Sequence, residues 1–170
     1  VVKYPTRRSF VAMNSRPDFQ EKHVHKDAGM QETIVIGCVP LDPPAFETRG
    51  WTEVPHPPTD EDGPITVIHV MRFAENGVQD METYASAASA AASSQGVRID
   101  GWFTAEGTII GDGRTWNQVR FNTFPSRAAF QAVVGDPGRL AAQASHREPA
   151  LADTYTMIVA PGLNGLGTSI

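Results

Sequence analysis

The feature that most constrains this chain is that its first forty residues return near its end. Tyr4-Pro-Thr-Arg-Arg-Ser-Phe-Val-Ala-Met reappears as Phe124-Pro-Ser-Arg-Ala-Ala-Phe-Gln-Ala-Val, displaced by 120 positions. After one inserted residue the displacement becomes 121, and His25-Lys-Asp-Ala-Gly-Met-Gln-Glu-Thr meets His146-Arg-Glu-Pro-Ala-Leu-Ala-Asp-Thr. Pro5, Arg7, Phe10, Ala12, Pro17, His25, Thr33 and Pro40 are identical to their partners, a colinear set with a single gap. Such self-similarity predicts one supersecondary unit used twice.

Each copy has the same grammar. Thr6 or Ser126 follows a proline and precedes a helical pattern, as an N-cap does when its hydroxyl accepts an orphan amide hydrogen. A short helix is expected over Arg7 to Met13 and over Arg127 to Val134. A second helix then starts on Pro17 or Pro137, proline being tolerated in a first turn. The runs Thr33 to Val39 and Thr154 to Ala160 are β-branched and read as strands.

Only the second copy has a front half. Ile65 to Phe73 is apolar on both faces and is expected to be a central strand. Asp80 to Ser94 is an Ala-rich helix with Gly96 as its stop, more readily a packing face than a ligand box. Val97 to Ala105 and Thr115 to Phe124 read as two strands joined by a turn around Gly111-Asp-Gly113. The order is βαββαβ, a ferredoxin-like unit of the α+β class. The first copy keeps only the rear half, with Val1 to Tyr4 as a stub of its third strand. The expected organisation is a partial repeat over 1–41, a connector over 42–63, a complete repeat over 64–162 and a Gly-rich tail over 163–170. The chain opens on Val1 rather than Met, which leads us to expect a longer parent chain.

The formal charge of −5 sits in the connector, which has six acids and one base and leaves thirteen of each elsewhere. Five prolines among its 22 residues exclude a helix or a central strand. Phe46, Trp51 and Val54 are unsuited to a free tether, so the connector should lie along a surface. Near-neutral bodies have no general attraction for nucleic acid. No apolar run reaches the ~18 residues of a membrane span. A single cysteine rules out an internal disulfide, and a cytoplasmic location is expected.

The segment from Trp116 through Phe124-Pro-Ser-Arg, Phe130, Asp136-Pro137, Arg147-Glu148 and Asp153-Thr-Tyr-Thr-Met resembles uncharacterised ferredoxin-like domains of the dimeric α/β-barrel superfamily. The branch is akin to EthD-like and NIPSNAP-like proteins. The likeness covers 64–161 fully and 1–41 as a half repeat. It implies that sheets pair into a barrel, so a homodimer or higher oligomer is expected. The superfamily includes monooxygenases, isomerases, haem enzymes and proteins with no known activity, and no catalytic set carries over.

Several residues could carry chemistry. His69 alternates with Val67, Met71 and Phe73, and is either a base inside a cavity or a buried histidine satisfied by a neighbour. Trp116, Gln118, Arg120 and Asn122 share one strand face by period two. That stripe suits a cavity wall for a polar or anionic small molecule, or else a solvated or subunit face. Trp102, with Asp100 and Arg98, would extend the wall if the register pairs them. His23 and His25 lie about 200° apart on a helix, so no paired metal grip is expected. His25 and His146 are explained by the helix macrodipole, with haem ligation as a lesser alternative. Cys38 reads as a small hydrophobe in a strand. No nucleotide loop, nucleophile elbow or zinc motif occurs.

Two functions follow as expectations. The first is a small-molecule binder or cofactor-independent enzyme, with His69 as base, Arg120 as anion anchor and Trp116 as wall. The second is a non-catalytic assembly module whose sheet pairing is itself the product.

Overall fold

The computed structural model describes residues 1–45, 47–111, 113–160 and 162. The chain divides into two compact units, Val1–Ile34 and Val35–Pro161.

The first unit is a helix pair, α1 (Arg7–Asn14) and α2 (Pro17–Ala28). The Thr6 hydroxyl accepts from the Ser9 amide at 3.1 Å, which caps α1 as its sequence signals. Arg16 is extended and Pro17 opens α2. Neither helix holds a buried residue, and Val11 and Val24 are 59% and 62% exposed. Val1 to Tyr4 forms no strand. Among the described residues no strand pairs with it, and the Tyr4 ring packs edge-on against Phe10.

The second unit carries β1 (Val35–Pro40), β2 (Ile65–Phe73), α3 (Gly77–Ser94), β3 (Arg98–Ile110), β4 (Gln118–Phe124) and α4 (Arg127–Val134). Then follow α5 (Pro137–Ala142), a π-helical turn over Gln143–Arg147, α6 (Glu148–Ala150) and β5 (Leu151–Val159). The strands form one antiparallel sheet in the order β1-β3-β4-β2-β5. From β2 to β5 the chain runs βαββαβ, with β2 and β4 central and β3 and β5 flanking them. This is the ferredoxin-like α+β fold. β1 adds a fifth strand beside β3, and this pairing over Phe103 to Ile110 carries β3 beyond its expected end.

The two sheet faces have different cores. Ile65, Val67, Val97, Phe124 and Val133 form one cluster, with Ala92 and Phe130 against it. Met71, Met81 and Ala150 form a second, flanked by Tyr84 and Leu151. Both put helices over the face that bears Ile65, Val67 and Met71. On the opposite face, Val70, Trp116, Val119 and Phe121 cluster with Ile36, Ile68, Phe103, Ala105 and Tyr155. No residue of α3, α4, α5 or α6 takes part in that cluster among the described residues.

Helix α3 meets the rear of the chain closely. A Cβ on Gly77 would collide with the Ala150 carbonyl, so only glycine fits there. Gly96 follows α3 at φ +68°, the left-handed stop that glycine adopts without strain.

The Pro-rich acidic segment is fastened to this unit. Trp51 Nε1 donates to the Gly96 carbonyl at 2.8 Å, Val54 is buried, and the His56 ring meets Gln95 Oε1 at 2.8 Å. Asp62 accepts from the amides of Arg127 and Ala128, at 2.8 and 3.0 Å, at the start of α4. Those two bonds hold its carboxyl below the usual range. Phe46 lies outside the described residues, as do Asp112 of the expected turn and the tail from 163 onward.

Candidate functional site

The ladder brings four side chains into one row. Arg120 pairs with His69 on β2 and with Trp102 on β3, while His69 pairs with Thr156 on β5. Directly paired residues project to the same face. Here that face is the helix-covered one, because His69 lies between Val67 and Met71. Gln118 and Asn122 occupy the neighbouring rows, opposite Met71 and Val67. Trp102, His69, Gln118, Arg120 and Asn122 therefore share one face.

Trp116 does not join them. It precedes β4, and its ring belongs to the cluster on the opposite face, where its centroid lies 5.1 Å from that of Tyr155. Period two holds only within a strand, and the chain turns from its extended course between Trp116 and Gln118. Trp116 Nε1 is buried without a hydrogen-bond partner. Arg114 reaches over both rings, 5.3 Å from Trp116 and 4.2 Å from Tyr155, and pairs with Asp153 at 3.4 Å.

Arg98 and Asp100 also leave the wall. The β3–β4 register shifts between Ile99 and Gly101, so one extra residue stands opposite β4. Arg98 now pairs with Thr123 and covers the Trp51 ring at 4.0 Å. Asp100 accepts from the Thr123 hydroxyl at 2.5 Å.

Arg120 is only 8% exposed. Its guanidinium lies 3.7 Å above the centre of the Trp102 ring, and its Nε donates to Gln118 Oε1 at 2.5 Å. Desolvation and the Arg147 charge pull its pKa down to about 9, which leaves it protonated at neutral pH. His69 lies against the same charges. Burial first, then the fields of Arg147, Arg120 and Arg139, push its pKa down to about 4. His69 is therefore a neutral imidazole at pH 7, with Nδ1 3.3 Å from the Thr156 hydroxyl. A neutral ring retains one lone pair to accept a proton.

Arg147, whose charge acts on His69 and Arg120, was not among the candidate residues read from the sequence. It lies in the π turn, half-buried, and burial lowers its pKa as well. Arg139 lies over the Tyr84 ring of α3 at 5.9 Å. The signal was present in the repeat, where a basic residue follows His25 and His146 in both copies. His146 itself is engaged by Asp80 at 3.3 Å. His25 is exposed in the last turn of α2, in the other unit.

The Cys38 thiol is exposed at the edge strand rather than packed. Its pKa is raised by partial desolvation and the nearby Glu106 charge, which opposes thiolate formation. Among the described residues no three His, Cys, Asp or Glu side chains converge as a metal site. No described helix is long and apolar enough to cross a membrane.

Two surface depressions lie along the Pro-rich segment. One of about 360 Å3 is lined by Pro43, Pro44, Ala45, Thr48 and Ile99. Another of about 170 Å3 is lined by Ala45, Glu47, Ser89, Ala90 and Ser93. Neither has Arg120 or His69 in its wall, though Ile99 is the β3 partner of Asn122.

No protein family and no curated protein matches the sequence. Solved structures do match. A protein of unknown function from Rhodopseudomonas palustris is 23% identical over 63% of this chain and 96% of its own, with a TM-score of 0.56. Its methylated form matches at 0.54, with 22% identity over 65% and 99% of the two chains. An uncharacterised NIPSNAP-like domain protein from Burkholderia xenovorans is 17% identical over 59% and 86%, at 0.43. A dabb family protein with a ferredoxin-like fold, from Mesorhizobium loti, is 14% identical over 58% and 97%, at 0.44. The chain thus shares its fold with the Rhodopseudomonas palustris protein of unknown function. At these identities the likeness concerns fold alone.

Proposed function

We propose that this protein binds a small molecule on the helix-covered face of its ferredoxin-like unit, with Arg120 as anchor and His69 as acceptor. The observation that carries this reading is the placement of Arg120. A guanidinium removed from water is costly unless paired, and burying one without a carboxylate favours a ligand that supplies the missing charge. Trp102 holds the guanidinium flat from below, Gln118 fixes its Nε, and the terminal nitrogens remain for a ligand. Asn122 adds an amide one row away, beside the depression at Ile99. Trp116 has no part in this reading. The arrangement needs no cofactor, and neutral His69 is a hydrogen-bond acceptor for the bound molecule. With Cys38 as a free thiol, a reducing compartment such as the cytoplasm suits the chain.

The test is native mass spectrometry of the purified full chain, followed by the same measurement on Arg120→Ala. A co-purifying small molecule that disappears in the variant supports the reading. A ligand retained in full by the variant would overturn it.

The opposite sheet face favours a second reading, assembly. Ile68, Phe103 and Tyr155 are only partly buried there, and Met157 and Val159 on the adjoining edge are 46% and 39% exposed. An apolar sheet face of this kind is stabilised by a second copy. Light scattering coupled to size exclusion at micromolar concentration tests it. A dimer that dissociates on Phe103→Glu supports self-association, and a wild-type monomer sinks it.

A further inference from the structure

His69 has a ladder neighbour on each side. Arg120 is its direct partner on β4 and Thr156 its direct partner on β5, so the three side chains form one row of the helix-covered face. Direct antiparallel partners hold their Cβ atoms about 4.5–5.5 Å apart. The Thr156 hydroxyl lies 3.3 Å from His69 Nδ1. Thr156 is exposed and β5 is an edge of the sheet, so this end of the row is open to solvent. The next hydroxyl along β5, that of Thr154, donates to the Val70 carbonyl at 3.1 Å and does not compete for the ring.

The side on which Nδ1 stands decides what the other nitrogen faces. Nε2 sits at the far end of an imidazole, across from Nδ1. With Nδ1 turned to β5, Nε2 lies on the β4 side, the side of Arg120. A neutral imidazole carries one N–H and one lone pair, and the hydrogen bond made at one nitrogen sets the state of the other. An N–H aimed toward a buried cation is repelled, whereas a lone pair in that place is attracted. The proton therefore belongs on Nδ1, donated to the Thr156 hydroxyl, and Nε2 is an acceptor. Arg120 beside it has only donors, with Nε already given to Gln118 and the guanidinium plane set by Trp102. The row thus offers the donors of a cation next to one neutral acceptor. A plain carboxylate satisfies the donors but turns oxygen lone pairs toward Nε2. A carboxylate with a hydroxyl on the adjoining carbon satisfies both.

We infer that Thr156 is a positioning residue that keeps the His69 proton on Nδ1, so that the site takes a hydroxycarboxylic acid, its carboxylate on Arg120 and its hydroxyl donating to His69 Nε2. The inference rests on the proposed ligand site and adds the ligand's chemical class and a residue that acts through His69.

Long-range nitrogen–proton correlation NMR of the full chain at about pH 8, above the ordinary histidine range, reads which nitrogen carries the proton. The wild type is expected to carry it on Nδ1. Thr156→Val, which keeps the shape and loses the hydroxyl, is expected to mix the two tautomers, and Thr156→Ser to restore the wild-type pattern. A proton on Nε2 in the wild type, or a pattern that Thr156→Val leaves unchanged, overturns the positioning role. Titration calorimetry with mandelate and phenylacetate, which differ by one hydroxyl, tests the ligand class. Mandelate is expected to bind roughly tenfold more tightly, and Thr156→Val to narrow that margin. Equal binding of the two acids that is lost in Arg120→Met overturns the hydroxyl contact and leaves the anchor standing. Equal binding that survives Arg120→Met overturns both. Binding of neither acid overturns the ligand class, and native mass spectra of the wild type and Arg120→Ala then judge the site separately.

Discussion

His69 and Arg120 are direct partners on the β2–β4 ladder, one neutral and one charged, under the same helical cover. Burial above all makes protonation of His69 hard, with the charges of Arg147, Arg120 and Arg139 adding to it. This relationship has a measurable consequence. The unfolded chain takes up a proton near 6.5 that the folded chain refuses until about 4. Between those values the unfolded state binds more protons, so stability rises with pH there and is lost on acidification. The loss approaches about 3 kcal/mol by pH 4. Denaturant melts of the wild type and His69→Gln between pH 7 and 4 check it, and the variant is expected to lose this part of the pH dependence.

Arg120→Met separates binding from stability. The replacement removes a buried charge and keeps most of the volume, a change that is neutral or stabilising by roughly 1–3 kcal/mol in other proteins. We expect an unchanged or higher Tm together with loss of ligand. A marked fall in Tm would mean that Arg120 is structural.

The two N-caps differ in what they hold. Ser126 is 1% exposed, accepts from the Ala129 amide at 3.0 Å and donates to the His56 carbonyl at 2.9 Å. Ser126→Ala is expected to cost about 1–2 kcal/mol, because a cap is lost and a part-buried carbonyl loses its donor. Thr6→Ala removes an exposed cap and should cost about 0.5–1 kcal/mol. Chemical denaturation of each variant measures the difference.

Gly77→Ala forces a methyl group into the Ala150 carbonyl. Backbone meets backbone here, so no side chain can move aside. A loss of about 3 kcal/mol or more is expected. The strain falls at the junction of α3 with α6. Hydrogen exchange should therefore show lost protection first at Ala74, whose amide donates to that same carbonyl at 2.9 Å.

What was legible in the sequence was local. The Thr6 and Ser126 caps, the prolines that open α2 and α5, the Gly96 stop and the strand Ile65–Phe73 depend on contacts within a few residues. So does the alternation that puts Gln118, Arg120 and Asn122 on one face. These local choices, taken in order, determine a βαββαβ unit.

The tertiary structure decided whatever depends on a distant partner. Trp116 joins the far face because the chain leaves its extended course before β4, and the extra residue near Asp100 turns Arg98 away from the wall. β1 finds its place only by pairing with β3. One extra residue between Pro137 and His146 is taken up in the π turn Gln143–Arg147, where the corresponding helix of the first copy is regular. Periodicity reports which way a side chain points within its own element. Register and helix phase across elements are set by long-range packing, and a single inserted residue resets both.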